Sequence, residues 1–168
     1  MTPVEPTPTM TPFPLPEEYT FQQGVDGYRG CIDTFVDEWN PQHNYASRDK
    51  VIVRQGGARS PLIRYNLEAL PKGTKIKEAL LHLYVSCRSG PHTLPIRVYG
   101  IMRPWTIDEV TFQRANRKVA WYEEGLAKPG RDISARPVTE DSLTSQEQWV
   151  TLDITRLVQE WVSYPEHN

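Results

Sequence analysis

IKEALLHLYVSC, residues 76–87, is the longest strand candidate in the chain, and its reading decides the fold. Its Lys, Glu, Ala and Leu residues favour a helix. Alternation instead places Leu81, Leu83 and Val85 on one side, with Leu80, His82 and Tyr84 on the other. The β-favouring run Leu83-Tyr84-Val85, and short turns such as Pro71-Lys72-Gly73 beside it, decide for a strand.

The segments on either side repeat this texture. SPLIRYNLEAL (60–70) alternates, with Leu62 and Arg64 on one face and Ile63 and Tyr65 on the other. KVIVRQ (50–55) reads as a short strand turned by Gly56-Gly57. CIDTFVDEW (31–39) sets Cys31, Asp33, Phe35 and Asp37 opposite Ile32, Thr34, Val36 and Glu38. Neither side is purely apolar, so this strand is expected at a sheet edge or rim. Downstream, PIRVYGIMRPW (95–105), SARPVTEDS (134–142) and EQWVTLDI (147–154) supply further strands. Residues 106–133 form a long polar connection dotted with aromatics, and such connections carry function or short elements of their own. In DITRLVQEWVSYP (153–165), Ile154, Leu157, Val158, Trp161 and Val162 follow the spacing of one helical face. Asp153 is its expected N-cap, and Pro165 closes it. The pattern predicts an all-β, antiparallel β-sandwich of seven or eight strands with one short C-terminal amphipathic helix.

Composition sets the boundaries. The 168 residues fit one domain, and a net charge of −2 excludes a nucleic-acid binder working by bulk electrostatics. No stretch reaches the ~20 apolar residues of a membrane span. The first residues lack the charged and apolar regions of a secretory signal. Six of the 15 prolines fall in residues 1–16, interleaved with threonine. This tract reads as an extended arm or linker, and residues 17–168 as the sandwich domain. Cys31 and Cys87 make either one bridge or two free, buried thiols.

Four blocks then resemble a known family. GYRGCIDTFVDEWNPQHNYASRDKVIVRQGG (27–57) resembles the opening of DNRLRE-type domains. PLIRYNLEALPKGTKIKEALLHLYV (61–85) resembles their middle. RPWTIDEVTF (103–112) and WVTLDITRLVQEWV (149–162) resemble their later steps, in the same order. The resemblance implies a jelly-roll accessory module of large exported bacterial and archaeal proteins. A related group is classed among carbohydrate-binding modules, some attached to alginate-degrading enzymes. The family continues past its helix with further strands, whereas this sequence stops at Asn168. Truncation, filling by the N-terminal segment, and strand donation by another molecule each account for that difference.

Three kinds of site are weighed. No catalytic residue is expected: His43, His82, His92 and His167 lack partners at metal-binding spacing, and no nucleophile elbow or phosphate loop is present. Asp26, Asp33 and Asp37, near a Gly-rich turn, are hard oxygen ligands that would suit a structural Ca²⁺, against ordinary bonding to backbone amides and arginines. Trp39, Tyr45, Arg48, Lys50, Arg54, Arg59 and Arg64 would suit an acidic polysaccharide such as alginate, because aromatic faces hold sugar rings and guanidinium groups hold carboxylates. Trp105, Phe112, Trp121 and Tyr122 form a second aromatic set, and either set also fits simple packing. Val4, Met10, Phe13 and Leu15 of the arm could plug a neighbouring copy. The leading expectation is a non-catalytic extracellular or cell-surface module for structure or adhesion. Its partners would be copies of itself, as in a filament, or neighbouring domains of a larger surface protein. The alternative is a carbohydrate-binding module for an acidic polysaccharide.

Overall fold

The computed structural model describes residues 18–168. The arm residues Val4, Met10, Phe13 and Leu15 lie outside the described residues. In chain order the strands are β1 (Cys31–Asp37), β2 (Arg59–Tyr65), β3 (Leu80–Val85), β4 (Leu94–Val98), β5 (Arg114–Asn116), β6 (Val119–Ala120), β7 (Thr139–Leu143) and β8 (Gln148–Asp153), followed by helix α1 (Thr155–Ser163). The chain is all-β with one short C-terminal helix, as its periodicity predicts. Among the described residues the strands pair antiparallel as β1–β2, β3–β8, β4–β7 and β5–β6.

Side-chain alternation welds these ladders together. In β3–β8, Leu81 faces Leu152 and Leu83 faces Val150 across the ladder. They share a core with Leu143 of β7 and with Leu94, Ile96 and Val98 of β4. The period of two sends Leu80, Tyr84 and Trp149 to the exposed side. Helix α1 covers one end through Leu157, Val158 and Val162, packed with Ile154 against Leu67, Leu70, Ile76 and Val138. The N-cap is Ile154 and not the expected Asp153; Asp153 sits one residue earlier, where its carboxylate still accepts the Thr155 N–H at 2.9 Å and satisfies a donor at the helix start. Gln159 holds the approach to β3, accepting from the Ile76 N–H at 2.9 Å and donating to the Thr74 carbonyl at 3.2 Å.

A third core lies where β1 and β2 meet the long connection. Val36 and Leu62 pack there with Trp105, Val110, Ala115, Trp121 and Leu126. Among the described residues β1 is an edge strand, as its mixed faces predict. Although β2 is its one ladder partner, Thr34, Phe35, Val36 and Asp37 are all buried. The long connection covers the Val36 side, and Tyr45 stacks on Phe35 at 4.2 Å. The same connection supplies the small β5–β6 ladder.

Two further expectations change. KVIVRQ does not form a strand: Ile52 and Val53 are exposed, and Arg54 makes a single bridge to Arg59 before a short 3₁₀ turn at Gln55–Gly57. With no apolar surface to face, its β-favouring residues have nothing to bury. The cysteines are unbridged, but Cys31 is half-buried and Cys87 exposed, so they are not two buried thiols.

Gly125 shows how tightly the connection is wound. Its φ of +76° is disfavoured for other residues, and an added Cβ would lie 2.6 Å from the Phe112 ring. Gly125→Ala is expected to lose about 2 kcal/mol of stability, a fall of roughly 5 °C in Tm, checked by thermal unfolding.

Candidate functional site: arginine-stacked aromatics

Asp37, the last residue of β1, is fully buried and surrounded by donors. The Trp39 N–H donates to Oδ1 at 3.0 Å. The Tyr45 hydroxyl donates to Oδ2 at 2.9 Å, and the Asn40 side-chain amide at 3.3 Å. Arg59, opposite Asp37 in the ladder, brings Nη2 to 2.9 Å from Oδ2. Burial pushes the Asp37 pKa up, but the bonds from Arg59, Trp39, Tyr45 and Asn40 outweigh it and hold the group at about 2.

These bonds place an aromatic ring at the surface. Trp39 remains 54% exposed. The pinned Arg59 guanidinium lies 4.9 Å from its ring centre, and the exposed Arg54 guanidinium lies 4.5 Å away. A guanidinium drawn over a ring by its charge keeps N–H donors that the ring does not use. Such donors match a carboxylate, while a neighbouring indole suits the apolar face of a sugar. Arg48 and Lys50 are exposed on the adjoining loop. Across residues 48–64, Arg48, Lys50, Arg54, Arg59 and Arg64 stand against the single acid Asp49.

The remaining residues of the expected basic set point elsewhere. Tyr45 is buried, committed to Phe35 and Asp37, and so cannot offer a ring to a ligand. Arg64 is half-buried, with its guanidinium 5.2 Å from the Trp105 ring. Trp39, Arg54 and Arg59 are therefore the residues brought together, with Arg48 and Lys50 beside them in sequence. In the second aromatic set, Trp105 and Trp121 are core and Phe112 is half-buried, while Tyr122 is 59% exposed.

The three acids of the calcium expectation, Asp26, Asp33 and Asp37, are not brought together. Among the described residues, no group of three or more His, Cys, Asp and Glu side chains gathers to hold a metal ion. Asp37 already receives four protein donors, whereas Asp33 and Asp26 are exposed, Asp26 in a turn at φ +49°.

Two exposed features escaped sequence reading. Tyr84 and Trp149 face each other across β3–β8 with ring centres 5.3 Å apart. The outward side of the alternation in residues 80–85 was the available signal. Tyr122 belongs to the second aromatic set, but the two arginines over its ring, Arg103 and Arg131, do not, and nothing in their sequence spacing connects them to it. A shallow depression beside α1, lined by Asp153, Arg156 and Gln159 among others, offers no aromatic ring.

The model of carbohydrate-binding module family 96 matches residues 28–167. The chain belongs to carbohydrate-binding module family 96. A carbohydrate-binding family agrees with the related group that the DNRLRE resemblance implies. No curated protein and no solved structure matches the chain. Membership in a family of binding modules moves the functional reading from structural or filament subunit to the carbohydrate-binding alternative. No helix among the described residues is long and apolar enough to cross a membrane.

The Asp37 bonds carry a pH signature. Its folded pKa of about 2 lies below the ordinary 3.8, so the ionised group stabilises the fold fully above about pH 4. That contribution is lost as pH falls through about 2. Asp37→Asn is expected to be less stable at pH 7 by about 3 kcal/mol, since it leaves the Arg59 guanidinium without its anion. The gap from wild type should narrow between pH 4 and 2, as measured by denaturant unfolding across that range.

Proposed function

We propose that this module binds an anionic polysaccharide of the uronic-acid class, such as alginate, as part of an exported or cell-surface protein. The observation that carries the reading is Trp39, exposed, with the guanidinium groups of Arg54 and Arg59 over its ring and with Arg48 and Lys50 exposed on the adjoining loop. A polyuronate has a carboxylate on every residue, and its sugar rings have apolar faces. The guanidinium N–H donors would take the carboxylates, and the exposed part of the indole would contact the sugar. Arg59 is held by Asp37 before any ligand arrives, so its ordering is already complete. Arg54 has no ion-pair partner among the described residues and is the group free to meet an incoming anion. The resemblance to modules of exported proteins supports the location.

Titration calorimetry with alginate oligosaccharides is expected to give saturable binding that weakens as salt is raised. Arg54→Ala should reduce affinity about tenfold, the loss of one charge-assisted contact, with Tm unchanged. A neutral glucan of equal length should bind far more weakly. Equal binding to the neutral glucan, or no binding to any polyuronate, would overturn the reading.

A further inference from the structure

The surroundings of Tyr122 repeat those of Trp39. Asp132 is fully buried, as Asp37 is. Its Oδ1 accepts the backbone N–H of Tyr122 at 2.9 Å, as Asp37 Oδ1 accepts that of Trp39. Oδ2 accepts the N–H of Glu123 at 3.0 Å and that of Lys128 at 3.4 Å. Arg103 Nε lies 3.5 Å from Oδ1, and Nη1 donates to the Ala120 carbonyl at 2.8 Å. The anchored guanidinium lies 3.9 Å from the Tyr122 ring centre. A second, exposed arginine, Arg131, lies 5.3 Å from the same ring and makes no ion pair among the described residues.

The two clusters share four parts: a buried aspartate, an arginine fixed on it, an exposed ring tied to it through the backbone, and one uncommitted arginine. They arise in unrelated segments, so no single local turn accounts for both. The Tyr122 cluster also lines a shallow hollow in the surface. The ring and both arginines line an open depression of about 400 Å³, with Met102 and Gly130 at its wall.

We infer that the Tyr122 depression is a second, independent binding site for a uronate residue, with Arg131 as its free carboxylate-binding group and the Tyr122 ring as its sugar-packing surface. The inference rests on the uronic-acid reading given above and adds a second point of contact on the same chain. A carboxylate would meet the in-plane N–H donors of Arg131, and any sugar face would rest on the exposed part of the ring. Two weak sites on one module would let a long polyuronate bind more tightly than short fragments, provided that the polymer can reach both.

The test is a ¹⁵N-resolved NMR titration of the whole chain with a uronate trisaccharide, run on wild type, Arg54→Ala, Arg131→Ala and the double variant. Cellotriose serves as the neutral control, and melting curves show that each variant is folded. In wild type, saturable shifts are expected at the amides around Trp39 and, separately, around Tyr122 and Arg131. Arg131→Ala should weaken the second set about tenfold and leave the first unchanged. Arg54→Ala should do the reverse. Shifts confined to the Trp39 region, or Tyr122-region shifts insensitive to Arg131→Ala, would overturn this inference while leaving the first site standing. Shifts confined to the Tyr122 region, and weakened by Arg131→Ala, would support it and remove the Trp39 site instead. Equal response to cellotriose around Tyr122 would overturn the anionic specificity, and no shift at either region would overturn both readings.

Discussion

The ion pair between Asp37 and Arg59 is the interaction on which the β1 end of the molecule depends. A carboxylate removed from water is tolerated only where donors replace its hydration. Four protein donors do so here, from the next loop and from the partner strand. They thereby fix the end of β1, the Trp39 turn, the Tyr45 loop and the start of β2. Asn44 extends the same tie, its amide donating to the carbonyls of Ile107 and Val110 at 2.8 Å each. The long connection is thus joined to the strand pair by polar bonds as well as by the Trp105 and Trp121 core.

On the proposed reading, the Trp39 surface gains from this arrangement because a flexible arginine is a poor recognition element. Freezing its rotamers on binding opposes affinity. Anchoring one guanidinium on an interior carboxylate moves that ordering into the folding step. The second guanidinium, that of Arg54, rests on the same ring without an ion-pair partner among the described residues.

The sequence made the framework legible where one periodicity acted alone. Leu81, Leu83 and Val85 alternate against a real core, and Ile154, Leu157, Val158 and Val162 follow a real helix face, so both elements were readable. KVIVRQ has the same strand-like composition but meets no apolar surface, and propensity without burial misleads. The basic segment was visible as composition, yet composition cannot say which way a side chain turns. Tyr45 and Arg64 went to interior aromatic partners, while Trp39 and Arg54 stayed outside. The Tyr122 cluster was harder to see. Its arginines meet only because Asp132 gathers the Tyr122, Glu123 and Lys128 amides, a tertiary event without a linear signature.

Pairing in two-stranded ladders has a consequence for how the molecule breathes. In a two-strand ribbon only every other backbone amide lies in the shared row of bonds, and the others point away from the partner. Along β3 and β8, proton exchange with solvent should therefore alternate residue by residue between slow and fast. Cohesion then comes mainly from interlocked leucine and valine side chains between ribbons, so a local opening can pass along one ribbon without unzipping its neighbours.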